Sequence, residues 1–276
     1  MIQQRVPIGV FDSGYGGLTI FEEIRKLLPQ YDYVYLGDNA RTPYGTRSFD
    51  VVYQFTRQAV SHLFEAGCPL VILACNTASA KALRTIQQHD LSQIDPTKRV
   101  LGVIRPTVEV VDQISRTKHI GILGTSGTVQ SQSYELEIAK LFPHVQVVSE
   151  ACPMWVPLVE NRAFDTPGAD YFVQKHLESL LSQDDHIDTI LLACTHYPLL
   201  MHKIRQYLPE GITLFPQGKR VAESLKAYLL RHPEMDERLS KGGSCCFQTT
   251  EVASKFSESA AVFLKEPIDV EQIHLR

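Results

Sequence analysis

The sequence predicts an α/β fold made of two similar parallel-sheet domains, related by a pseudo-two-fold axis, with an active site in the cleft between them. Three observations carry this. Strand-like apolar runs alternate with amphipathic helical segments almost throughout the chain, the signature of an α/β architecture. The strand-like runs are continuously apolar rather than alternating, as in parallel sheets covered on both faces. Finally, two motifs recur in the same order. IGVFDSGYGG from Ile8 returns as IGILGTSGTV from Ile120, and VILACNTA around Cys75 returns as LLACTHYP around Cys194. A duplicated unit accounts for both repeats at once.

In chain order, PIGVF (7–11) reads as a strand, LTIFEEIRKLL (18–28) as an amphipathic helix and YVYLG (33–37) as the next strand. SFDVVYQFTRQAVSHLFEAG (48–67) has apolar residues at helical spacing and stops on a glycine, a common helix terminator. LVILA (70–74) is a strand, ASAKALRTIQQ a helix and VLGVI (100–104) a strand. HIGILG (119–124), SYELEIAKLF (133–142), VQVVS (145–149) and TILLA (189–193) repeat the alternation.

Bulk composition narrows the function. At 276 residues, 44% hydrophobic and 21% charged, the chain matches an ordinary globular protein. A formal charge of -4 with scattered basic residues leaves no electrostatic footprint for nucleic acid or a membrane surface. No apolar run approaches the ~20 residues of a transmembrane helix, and MIQQRVPIGVF has no signal-peptide core. A cytoplasmic location is expected. The six cysteines (68, 75, 152, 194, 245, 246) form no C-x-x-C pair, so a structural zinc site is not expected, and a reducing compartment disfavours disulfides.

Most free cysteines are small buried hydrophobes. Cys75 and Cys194 differ from the rest because each ends an apolar strand and is followed by two polar residues, Asn76-Thr77 and Thr195-His196. Ligands of open α/β sheets bind beyond the carboxyl ends of strands, so facing halves bring both thiols to one cleft. Two thiols on opposite sides of a carbon suit two-base inversion: one removes a proton and the other delivers one to the opposite face. A free thiol, with a pKa near ~8.5, needs only modest tuning for that work.

Other motifs supply partners. FDSGYGGLT (11–19) has a strand–turn–helix context but puts Thr19 at the third fingerprint position and has no G-K-[ST], so it fits neither a dinucleotide site nor a P-loop. It leaves Asp12, Ser13 and backbone N–H groups at a helix start, suited to a small anion. RTPYGTRS (41–48) is a turn that presents Tyr44 and Gly45. In ACPMWVPLVEN (151–161), Glu160 reads on its own as a solvated loop carboxylate. His196, two residues after a candidate thiol, is placed to act as an acid/base partner.

FDSGYGGLT, GDNARTPYG, ACNTASA, GILGTSGT, ACPMWVPLVE, CTHYPLL and FQTTEVASKF, in this order, make the chain resemble the bacterial glutamate racemases of the aspartate/glutamate racemase superfamily. The resemblance implies cofactor-independent, metal-free interconversion of L- and D-glutamate for peptidoglycan synthesis, usually by a homodimer. It implies a first domain over 1–98 and 210–276, completed by the returning C-terminal segment, and a second over 99–209. It places catalytic thiols at Cys75, acting on the D-isomer, and Cys194, acting on the L-isomer. Their acid/base partners fall at Asp12 on one side and at Glu160 and His196 on the other. Substrate contacts fall on Asp12, Ser13, Tyr44, Gly45, Asn76, Thr77, Thr195 and His196. The chain departs from the pattern at Arg105, where many members carry Glu, and at the basic PQGKRVAE (216–223); these bear on regulation and subunit contacts more than on chemistry. It also lacks the long N-terminal extension linked to activation by a cell-wall precursor. Three alternatives compete: racemisation of another acid such as aspartate, a cysteine hydrolase built on Cys194 and His196, and a small-acid binding protein with structural cysteines.

Overall fold

The computed structural model describes residues 6–264 and 267–275; the leading MIQQR of the stretch read above as lacking a signal-peptide core lies outside them. Two sheets are present, and every pairing in them is parallel. The first contains β1 (Ile8–Asp12), β2 (Tyr33–Gly37), β3 (Leu70–Leu73), β4 (Arg99–Gly102), β9 (Cys245–Thr249) and β10 (Val270–Gln272), in the order β10-β9-β2-β1-β3-β4. The second contains β5 (His119–Gly124), β6 (Gln146–Ala151), β7 (Thr189–Ala193) and β8 (Thr213–Phe215), in the order β6-β5-β7-β8. The orders β2-β1-β3-β4 and β6-β5-β7-β8 are the same four-strand unit built twice, as the internal repeat predicts.

β1, β2, β3 and β7 are buried at every position, which is why they read as unbroken apolar runs. Helices cover them. In Phe49–Glu65, the Ser48 side chain accepts a hydrogen bond from the Val51 N–H at 3.4 Å, and Gly67 follows the C-terminus at φ +93°, a conformation glycine adopts without penalty. Leu18–Leu27 buries Leu18, Ile20, Phe21 and Ile24 against the first sheet and keeps its charges outward.

Sheet membership moves both crossover points expected at 98/99 and 209/210. Arg99–Gly102 pairs with β3, and Thr213–Phe215 pairs with β7, so each half keeps its own fourth strand before the chain leaves. The expected strand 100–104 stops at Gly102 because Ile104–Val108 turns helical, with Pro106 in the first turn, where its missing N–H does no harm. The helix read through ASAKALRTIQQ is broken into Asn76–Lys81, Leu83–Thr85 and a π-helical turn at Ile86–Asp90. Among the described residues, no helix is long and apolar enough to cross a membrane.

The returning C-terminal segment is held by aromatic packing. Phe21 is fully buried and meets Tyr33 of β2 and Phe247 of β9 edge-on, at ring centroid distances of 5.4 and 5.8 Å. Replacing Phe21 by Ala should lower stability by about 3–5 kcal/mol, the usual cost of emptying a buried aromatic site. The expected readout is a lower urea midpoint; an unchanged midpoint would mean that β9 is not anchored there.

Candidate active site

Because all strands run parallel, their carboxyl ends deliver side chains to a common edge, and the two halves meet there. Asp12 ends β1, Cys75 caps the helix after β3, and Cys194 directly follows β7. The halves touch closely. A Cβ on Gly16 would lie 2.3 Å from Thr195 Oγ1 and 2.4 Å from His196 Nδ1, so only glycine fits there. Gly127 N–H donates to the Gly45 carbonyl at 2.7 Å, and Thr19 Oγ1 donates to the Thr195 carbonyl at 2.9 Å.

Between them lies a cavity of about 100 Å³. Ser13, Tyr44, Gly45, Cys75, Asn76, Thr77, Cys194, Thr195 and His196 line it, nine of the residues singled out from the sequence. Asp12 and Glu160 are not among its lining residues. Asp12 is fully buried: Oδ2 accepts the Gly14 N–H at 3.0 Å, and Oδ1 has no hydrogen-bond partner among the described residues. Glu160, at the end of the helix Trp155–Glu160, reaches the site through His196, whose Nε2 lies 3.0 Å from Glu160 Oε1. It is therefore a partner of a buried imidazole rather than a solvated loop carboxylate.

Thr125, Ser126, Pro153, Val156 and Pro157 also line the cavity and were not anticipated. The signal for the first was present: the repeat that aligns Ile8 with Ile120 aligns Ser13 with Thr125. Thr77 and Thr125 hydroxyls lie 2.9 Å apart across the cleft. None of the described lining residues is Lys or Arg, so a carboxylate here would be met by hydroxyl, amide and backbone N–H donors.

The two thiols have different surroundings. Cys75 Sγ is 3.3 Å from Ser13 Oγ and accepts the Ala78 N–H at 3.4 Å. Burial, reinforced by the nearby Asp12 charge, pushes its pKa up to about 12, against the relief from those two hydrogen bonds. It is therefore a thiol, not a group titrating near neutrality. Burial likewise raises the Asp12 pKa, making it a better proton acceptor than an ordinary carboxylate. Cys194 Sγ faces His196 Nδ1 at 3.9 Å. Burial opposes the imidazolium, but the bonds to Cys194 and Glu160 outweigh it and raise the His196 pKa to about 10. One thiol thus has a cation beside it, while the other is backed by a carboxyl group.

Cys68 and Cys152 are core cysteines whose pKa values are raised by burial. Arg105 and Arg220 both reach Glu109, at 3.1 and 3.6 Å, and Arg105 also reaches Glu137 at 3.0 Å. The basic departures therefore tie together the crossover segments behind the cleft.

Comparison with known proteins adds the following. The profile of the Asp/Glu/Hydantoin racemase family matches residues 16–226. A glutamate racemase from Roseobacter denitrificans is 39% identical over 274 residues, covering 96% of this chain and 98% of the relative. The crystal structure of a glutamate racemase isoform from Bacillus anthracis superposes with a TM-score of 0.89 at 36% identity, over 99% of each chain. A glutamate racemase from Francisella tularensis, solved in complex with D-glutamate, superposes with a TM-score of 0.87 at 30% identity, again over 99% of each chain.

Alkylation follows the thiolate. With iodoacetamide at neutral pH, the exposed Cys246 should be labelled well before Cys75, and Cys75 labelling should climb about tenfold per pH unit toward its raised pKa. Mass mapping that finds Cys75 the fastest site at neutrality would refute the assignment of Cys75 as a resting thiol.

Proposed function

Because the chain belongs to the Asp/Glu/Hydantoin racemase family and is an amino-acid racemase, we propose that it interconverts L- and D-glutamate by a two-thiol mechanism that needs no cofactor or metal. The observation that carries this is the pair of thiols lining one cavity, Cys75 beside Ser13 and Cys194 facing His196. Glutamate is the substrate named for the three relatives above, and the D-glutamate complex of the Francisella protein supports it further.

For L-glutamate, the Cys194 thiolate, paired with the His196 imidazolium, takes the Cα proton. The electron pair left on Cα is delocalised into the substrate carboxylate. Cys75, held as a thiol, gives its proton to the opposite face, and its thiolate is then supported by Ser13 and the Ala78 N–H. In reverse, Asp12 receives the Cys75 proton so that this sulfur can act as base. Glu160 holds His196 through Nε2 and keeps Nδ1 directed at Cys194. Asp12 Oδ1, which has no hydrogen-bond partner among the described residues, is the oxygen that takes that proton. Ser13, Tyr44, Gly45, Asn76, Thr77, Thr195 and His196 supply the surface that holds the substrate.

The Cys194–His196–Glu160 line also has the order of nucleophile, base and orienting group in a hydrolase. That reaction gives Cys75 no work, whereas inversion uses both thiols. We place the racemase in the cytoplasm as a homodimer, supplying D-glutamate for peptidoglycan, and take 1–102 with the returning C-terminal segment as one domain.

Incubated with L-glutamate and no added cofactor, the protein should drive optical rotation to zero, faster than with L-aspartate. In D₂O the D-glutamate formed early should carry deuterium at Cα while the remaining L-glutamate stays protiated. Cys75→Ala and Cys194→Ala should each lower racemisation by about 10³-fold or more. Protiated product at early times, or a Cys75→Ala enzyme near wild-type activity, would rule out the paired-thiol reaction.

The pH profile tests the His196 assignment. Its pKa is raised, so the imidazolium persists below about 10 and is lost above it; kcat/KM for L-glutamate should fall as pH rises through that value. Glu160→Gln removes a carboxylate that raises this pKa, so the alkaline limb should move toward neutrality. An unmoved limb would assign it to another group.

A further inference from the structure

Behind the cavity, three buried side chains close a hydrogen-bonded ring. Asn76 Nδ2 donates to Gln217 Oε1 at 2.7 Å, Gln217 Nε2 donates to the Tyr134 hydroxyl, and that hydroxyl donates to Asn76 Oδ1 at 2.6 Å. Gln217 Nε2 gives its other proton to Thr107 Oγ1 at 2.9 Å. Asn76 belongs to the first half and Tyr134 to the second, while Thr107 and Gln217 sit on the two crossover segments.

The sense of the ring is set from outside. The Thr107 hydroxyl donates its one proton to the Val103 carbonyl at 2.9 Å, so it can only accept from Gln217. Gln217 must therefore turn Nε2 to Thr107 and Oε1 to Asn76. Asn76 must answer with Nδ2, which leaves Oδ1 for Tyr134. Burial raises the Tyr134 pKa and keeps it a donor. Each proton and acceptor named so far is used, with one exception: the second Nδ2 proton of Asn76. Asn76 lines the cavity next to Cys75.

We propose that Gln217 and Tyr134 are positioning residues that lock the Asn76 carboxamide in the orientation presenting its spare N–H, rather than its oxygen, to a substrate carboxylate. The proposal rests on the reading above that Asn76 contacts the substrate. A flipped amide would set an oxygen against a carboxylate oxygen, losing a charge-assisted bond and adding repulsion. Since the ring draws on both halves and both crossovers, it also makes that orientation a property of the closed cleft.

The test is the KM-against-kcat split for L-glutamate in Asn76→Ala, Tyr134→Phe, Gln217→Met and the double variants with Asn76→Ala. A contact made equally in ground and transition states raises KM and spares kcat. Each single variant should therefore raise KM about tenfold with kcat within about twofold. Tyr134→Phe or Gln217→Met should add little in the Asn76→Ala background, because all act through one group. Gln217→Leu removes both the acceptor for Asn76 and the protons for Thr107 and Tyr134, and substitutes if Gln217→Met does not fold. If Asn76→Ala raises KM while Tyr134→Phe and both Gln217 variants leave it unchanged, or lower only thermal stability and kcat, the positioning role is overturned and the Asn76 contact stands. If Asn76→Ala itself leaves KM unchanged, the contact falls, and the positioning role with it.

Discussion

A sulfur buried without a cation stays protonated, and the cleft is organised around that constraint. Closing two α/β halves over a small cavity buries both sulfurs, and for Cys75 burial raises the cost of the thiolate. On one side Glu160 helps to hold His196 as an imidazolium beside Cys194. On the other side the hydrogen-bond partners of Cys75 among the described residues are neutral, Ser13 and the Ala78 N–H. The cleft therefore has a protonated thiol on one wall and, on the other, a sulfur beside an imidazolium.

Duplication supplies the symmetric part of this arrangement, and local substitution breaks it. The same four-strand order recurs in both sheets, which places Cys75 and Cys194 at matching strand ends. The repeat that matches Ile8 to Ile120 also matches Asp12 to Gly124, so the carboxyl group of the first half has no counterpart on the second β1-like strand. Its place is taken by His196, from the loop after β7, and by Glu160, from a different helix. The chemical inequality of the thiols thus comes from loops, while their placement comes from the strands.

This division explains what could be read from the chain alone. β2, β5 and β7 fall where their apolar runs predict, at Tyr33–Gly37, His119–Gly124 and Thr189–Ala193, because a strand buried on both faces leaves no choice of residue type. β8 and β10, of three residues each, carry too few buried positions to leave a pattern. Ile104 looked like the continuation of a strand because apolar character does not distinguish a buried strand end from the buried face of a short helix. Side chains that line the cavity at strand ends were legible as polar residues after apolar runs. Glu160 reads locally as a loop carboxylate and was placed beside Cys194 only by the family resemblance, because its role depends on a hydrogen bond to His196, which lies 36 positions away. Gln217 and Tyr134 were missed for the same reason: nothing local marks a carboxamide whose partners come from three other segments.

The asymmetry of the thiols has a limit set by the reaction proposed for them. L- and D-glutamate have equal free energies in water, so their equilibrium constant is unity and kcat/KM must be the same in both directions. Moving the His196 or Cys75 pKa therefore cannot favour one isomer overall. What it can change is the fraction of free enzyme with the thiolate on Cys194 rather than on Cys75. The form with Cys194 ionised accepts L-glutamate and is left with Cys75 ionised after turnover. Burial and Asp12 both oppose the Cys75 thiolate, which drives the second form to take a proton back on Cys75. When that reset limits turnover, the isomer that meets the sparse form has the lower kcat and the lower KM, because its turnover waits on the uphill return. The carboxyl group beneath Cys75 and the cation beside Cys194 thus tune how quickly the site resets, while the parallel strands that carry the two sulfurs to one cavity determine that inversion is possible at all.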